Sequence, residues 1–154
     1  MKPRSLMSSA SRKSFLQGHG LRATDSRLRI LEILEGQKRP MSPGELLEAS
    51  RQDGVTLDQV TIYRVLESFR TKQIVHEVHP GKQYLLCTHR ECGGSMHVLI
   101  RCTDCGLTRE EGMPGALAES MTSFLRDQKN FLTREHFVQI DGHCRSDCDA
   151  SAQH

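Results

Sequence analysis

The residues best equipped for chemistry lie between Cys87 and Glu110, where the chain reads Cys-Thr-His-Arg-Glu-Cys-Gly-Gly-Ser-Met-His-Val-Leu-Ile-Arg-Cys-Thr-Asp-Cys-Gly-Leu-Thr-Arg-Glu. Within it, Cys102-Thr103-Asp104-Cys105-Gly106 is a metal knuckle: two thiolates with two residues between them, then a glycine that lets the chain turn beneath an ion. A tetrahedral structural zinc wants four such donors, commonly as two pairs. Cys144 and Cys148 supply the second pair, with three residues between them, so that knuckle is the looser one. A separate set of mixed donors, His76, Cys87, His97 and Glu110, brackets the first knuckle. A cysteine-only site and a mixed site predict two zinc ions per chain, one that holds the fold and one that informs it.

Six cysteines would also suit a disulfide framework. That reading fits poorly, because no apolar secretion segment opens the chain, and histidines and carboxylates are interleaved among the thiols. Metal binding in a reducing cytoplasm is the expectation. A dithiol redox centre at Cys102 and Cys105 is the alternative from another class. Such centres sit at a helix N-terminus after a strand, which lowers the first thiol's pKa. Here the motif leads instead into Gly106 and a strand-like run. No nucleophile–base pair stands out, so neither an enzymatic activity nor a small-molecule substrate is expected. Cys92 belongs to neither set and is a bystander or a substitute for Cys87. His89 and His136 read as ordinary surface or packing histidines.

These donors must be positioned by 154 residues that are 36% hydrophobic, enough for one ordinary domain or two small ones. Small domains have thin cores, which is a reason for a structural metal. Net charge is only +2, but residues 1–80 carry 13 Lys/Arg against 9 Asp/Glu, and residues 81–154 carry 8 against 10. A basic front half suits a polyanionic partner. No run of 18 apolar residues is present, so no membrane span is expected. Met1 to Phe15 is Ser/Arg-rich and free of acids, faintly like a transit peptide. It is read as a flexible basic arm over residues 1–11.

A short helix is expected from Arg12 to Gln17, ending near Gly18 or Gly20. Thr24 is placed to cap a second helix, in which Leu28, Leu31 and Leu34 recur at helical spacing up to Gly36. Ser42-Pro43-Gly44-Glu45 is a capping box with proline at the first helical position, opening a third helix that ends by Gly54. Thr56-Leu57-Asp58-Gln59 repeats the pattern and predicts a fourth helix over about 57–69, burying Ile62, Val65, Leu66 and Phe69. Two β-rich runs, Ile74 to Val78 and Gln83 to Leu86, flank Pro80-Gly81 as a hairpin. Three helices and a hairpin make a winged helix-turn-helix. Past the knuckle, Met96 to Ile100 and Leu107 to Glu110 read as strands, Pro114 opens an amphipathic helix, and Glu135 to Asp141 alternates as a last strand. The fold class is α+β, with a small α/β unit whose apolar surface needs a partner chain.

The fourth helix presents Gln59, Thr61, Tyr63 and Arg64 on its polar face. Arg64 can fork onto a guanine edge, Tyr63 can reach a phosphate or a thymine methyl, and Thr61 can bind phosphate. An amphipathic helix with a merely solvated face has the same composition. The helix-turn-helix context and the basic arm favour double-stranded DNA, with Arg12 and Lys13 giving sequence-independent contacts.

Gly20-Leu21-Arg22-Ala23-Thr24-Asp25-Ser26-Arg27 resembles the opening signature of the ferric uptake regulator family, and Thr61-Ile62-Tyr63-Arg64-Val65-Leu66 resembles its DNA-recognition helix. The two cysteine pairs complete the pattern over about residues 12–148. The resemblance implies a metal-activated, homodimeric DNA-binding repressor, with Arg22 joining Thr61, Tyr63 and Arg64 at the DNA. It also implies a winged-helix domain over 12–86, a hinge over 87–95 and a dimerisation and metal-binding domain over 96–154. The mixed set with Cys87 is similar to that of the zinc uptake regulators. Independently, one thiolate, two imidazoles and one carboxylate suit tetrahedral zinc, whereas ferrous iron and manganese prefer more oxygen donors. The expectation is a zinc-responsive repressor of zinc uptake genes, with an iron- or manganese-responsive regulator as the same-family alternative.

Overall fold

The computed structural model describes residues 6–37, 39–52, 57–88, 96–129, 131 and 137–145. The chain divides into two compact units, Met1–Cys87 and Thr88–His154. Cys87, expected to open the hinge, is bonded into the first unit: its N–H donates to the Ile74 carbonyl at 2.9 Å. Residues 89–95 of that expected hinge lie outside the described residues.

The first unit begins with α1 (Ser9–Gly18), three residues ahead of the expected start. The reason is a cap: the Ser8 hydroxyl accepts the Ser11 N–H at 3.2 Å. Residues 9–11 therefore belong to a helix and not to a free arm. Arg12 also departs from expectation. It is buried, and its guanidinium donates to Glu35 at 2.9 Å and to Glu32 at 3.0 Å. Both carboxylates stand on α2 (Asp25–Gly36), which Thr24 caps as expected. Arg12 braces α1 against α2 and is not available to a phosphate.

In α3 (Pro43–Gln52) the capping box is made in both directions: Glu45 N–H donates to the Ser42 hydroxyl at 3.2 Å, and Ser42 N–H to the Glu45 carboxylate at 2.7 Å. Helix α4 (Gln59–Thr71) starts later than expected, because Asp58 is its cap. Thr56 itself lies outside the described residues. The helix stops where Gln73 takes φ 56°, the left-handed region, and the Ile74 N–H returns to the Phe69 carbonyl at 2.8 Å.

Strands β1 (Val75–Val78) and β2 (Gln83–Leu86) pair antiparallel, Val75 opposite Leu86 and Val78 opposite Gln83. Their turn uses Gly81 at φ 112°, where a side chain would be strained. Met41 exchanges both backbone hydrogen bonds with Tyr84 and so ties the wing to the segment before α3. Leu16, Ile30, Leu31, Leu46, Ile62, Leu66 and Phe69 are fully buried and join all four helices in one core. Each such side chain contributes about 1.5–3 kcal/mol as an upper estimate. The unit is a winged helix-turn-helix.

The second unit is a three-stranded sheet in the order β4-β3-β5. The central β3 (His97–Cys102) pairs antiparallel with β4 (Thr108–Gly112) and parallel with β5 (Phe137–Gly142). A parallel neighbour requires a crossover, and α5 (Gly115–Lys129) provides it, with Pro114 at its entry as expected. The strands sit one or two residues from their expected limits. Glu135 and His136, expected in β5, lie outside the described residues. The fold class is α+β, and no helix among the described residues is long and apolar enough to cross a membrane.

Candidate metal centre and nucleic-acid interface

The knuckle is built by the β3–β4 turn. Cys102 closes β3, the Gly106 N–H returns to its carbonyl at 3.0 Å, and Gly106 takes φ 74°, which a glycine adopts without strain. The end of β5 is laced to the same turn. Thr103 N–H donates to the Gly142 carbonyl at 2.8 Å, and the Asp104 carboxylate lies 3.0 Å from the His143 ring. These bonds deliver Cys144. The Sγ atoms of Cys102, Cys105 and Cys144 all lie within 4.8 Å of one another, with Cys105 and Cys144 4.0 Å apart.

Thiolates about 2.3 Å from a tetrahedral zinc stand about 3.8 Å from each other, so three corners of the tetrahedron fit the residues present. The Cys102 thiol is lowered to about 6, first by the backbone N–H of Cys105 and further by those of Asp104 and Cys144. Such donors hold the ionised sulfur that a metal needs. Cys148, expected as the fourth corner, lies outside the described residues, as does Cys92.

The mixed donors fall in both units. In the second, His97 on β3 and Glu110 on β4 form a diagonal pair, since His97 faces Gly112 and Leu99 faces Glu110. The His97 ring nitrogen Nδ1 lies 2.8 Å from Glu110 Oε1, with the side chains 2% and 1% exposed. The other Glu110 oxygen accepts the N–H and hydroxyl of Thr88 at 2.7 and 2.8 Å. A carboxylate so enclosed has its orientation set before any ion arrives. In the first unit, His76 is buried on β1 and Cys87 is half-buried just past β2.

The DNA-directed residues divide differently. Tyr63 and Arg64 are exposed on α4, and Arg64 has no ion-pair partner among the described residues. Arg22 is exposed in the loop before α2, its carbonyl accepting from Arg27 at 2.9 Å. Thr61 is the exception. Its hydroxyl and N–H both donate to Asp58, and they hold that carboxyl below its ordinary range. The role of Thr61 in this structure is to start the helix.

Sequence reasoning missed one feature here. A surface groove of about 520 Å³ runs between Leu21 and α4, lined by Tyr63, Arg64 and Lys72 among others. Lys72 is the C-cap of α4, and a basic residue at a helix end was the available signal. The apolar surface expected on the second unit includes Ile100 and Ile140, which face each other in register across β3 and β5 and stay exposed.

Set beside known proteins, residues 18–141 match the model of the Ferric uptake regulator family, and the chain belongs to that family. It is therefore a metal-responsive DNA-binding regulator and not an enzyme. The chain is 25% identical over 132 residues to the zinc uptake regulation protein of Escherichia coli (strain K12), covering 86% of this chain and 76% of that one. It is 28% identical over 141 residues to the ferric uptake regulation protein of Neisseria meningitidis serogroup A, covering 90% and 93%. Its fold is similar to that of a zinc uptake regulator complexed with zinc and DNA, with a TM-score of 0.74 over 89% of this chain and 90% of that one at 24% identity.

Proposed function

We propose that this chain is a cytoplasmic, homodimeric, zinc-responsive repressor of genes for zinc uptake. The observation that carries the metal preference is the donor chemistry: the buried His97–Glu110 pair in one unit, and the His76 imidazole and Cys87 thiol in the other. One thiolate and one carboxylate would cancel the charge of a divalent ion, so the filled site tolerates burial. The relatives that are zinc uptake regulators support the same reading.

His76 and Cys87 belong to the winged-helix unit, and His97 and Glu110 to the second unit. If all four ligate one ion, they tie the units together. Zinc bound there would supply a divalent, tetrahedrally demanding centre for which the His97 imidazole and the Glu110 carboxylate are two of the donors. The second unit, with Cys102, Cys105, Cys144 and Cys148 around a structural zinc, forms the dimer through the surface that carries Ile100 and Ile140. In the dimer, the ligands of the mixed site fix the separation of the two α4 helices, which must match half-sites about one or more helical turns apart. Without metal the separation is not selected, so metal strengthens operator binding by choosing one state. DNA must then tighten zinc by the same factor. Arg64, Tyr63 and Arg22 make the contacts to DNA.

The test is operator affinity of Cys87→Ser with and without buffered zinc. The variant keeps its fold, its dimer and the structural zinc, and loses the zinc response. An unchanged response refutes the assignment and makes Cys92 the next candidate. Relatives that are ferric uptake regulators favour iron or manganese as the second reading. Titration of the native chain with each metal, read by operator binding, separates the two.

A further inference from the structure

The exposed stripe of α4 runs Val60, Tyr63, Arg64, Glu67, at i, i+3, i+4 and i+7, so these side chains share one face. Three of the four are polar or amphipathic. Val60 is not: it is 58% exposed, whereas Ile62, Val65, Leu66 and Phe69 of the same helix are buried in the core. Valine is a poorer helix former than alanine, and exposure of its methyls to water is unfavourable. The position is also particular. Val60 lies in the first turn, directly behind the Asp58 cap, and the first turn of a recognition helix is the part that meets base edges. Its neighbour Thr61 is hydrogen-bonded to Asp58 through both its N–H and its hydroxyl.

We infer that Val60 is a specificity-determining residue that packs against the C5-methyl group of a thymine in each half-site. The thymine methyl is the apolar feature that a major groove offers, and an aliphatic side chain is its natural reader. Arg64, one turn further along the same face, reads a neighbouring guanine, so the pair distinguishes adjacent bases by apolar contact and by hydrogen bonding. The inference rests on α4 being the DNA-reading helix.

The full chain, in buffered zinc, is used to enrich a duplex from a random library. Each thymine of that duplex is then replaced in turn by deoxyuridine, which removes the methyl and nothing else. Affinity is measured by fluorescence anisotropy at one salt concentration. The native chain loses about fourfold at one thymine position per half-site, the worth of one buried methyl. Val60→Ala, which improves helix propensity and so folds, binds thymine and uridine alike at that position. Arg64→Ala binds more weakly overall yet keeps the uridine penalty. If Val60→Ala keeps the penalty, or no thymine is sensitive in the native chain, the inference is overturned while the DNA reading stands. If no duplex is enriched, the reading of α4 falls and the inference with it.

Discussion

Arg12→Ala distinguishes a helix that braces the winged unit from an arm that contacts DNA. The Arg12 guanidinium lies 2.9 Å from Glu35 and 3.0 Å from Glu32, with side-chain exposures of 11%, 4% and 44% respectively. Charge centres about 4 Å apart attract by about 4 kcal/mol at an effective dielectric constant of about 20. Deleting the arginine leaves the Glu35 carboxylate buried, with the Met7 N–H at 2.6 Å still donating to it. Removing one partner of a buried pair costs about 3–5 kcal/mol. The exposed Glu32 rehydrates freely, so the lower end, about 3 kcal/mol, is expected. Replacing both partners, Arg12→Leu with Glu35→Leu, recovers most of that loss, because no charge is left buried alone. Urea unfolding of the zinc-loaded chain measures these differences, and Arg12→Leu and Glu35→Leu, each alone and together, close a thermodynamic cycle. DNA binding gives the second readout. Each phosphate interaction removed lowers the salt slope by about 0.9, whereas the loss of a brace leaves the slope unchanged. Stability within about 0.5 kcal/mol of native, together with a reduced slope, would refute the reasoning.

Three other substitutions probe the remaining sites. Cys105→Ser removes one corner of the sulfur cluster; since structural zinc stabilises such small units by roughly 10 kcal/mol or more, the second unit should lose its fold and the chain its dimer even in excess zinc. Zinc content and sedimentation velocity of the variant check this, and a zinc-replete dimer would count against the site. Arg64→Ala should lose about 1–3 kcal/mol of discrimination at one base pair, whereas Lys13→Ala should weaken all duplexes alike if that lysine meets phosphate. Competition binding against a panel of single-base operator variants separates the two patterns.

Local rules made much of this protein legible in its sequence. Thr24, the Ser42–Glu45 box and Pro114 act within three or four residues of themselves, and each begins its helix where the spacing places it. The Cys102-x-x-Cys105-Gly106 turn is likewise a local device, so its chemistry could be read before any fold was known. What needed the tertiary structure was every decision between two local answers. Asp58 is the cap of α4, because its carboxylate satisfies both the N–H and the hydroxyl of Thr61. Arg12 counted as one more basic residue until the packing of α1 on α2 set it between two carboxylates 20 and 23 positions away. Cys144 lies 39 positions from Cys105, and only the parallel pairing of β5 with β3 brings the two sulfurs to 4.0 Å. Composition and periodicity report what a side chain prefers; which long-range partner it obtains is set by the packing of elements distant in the chain.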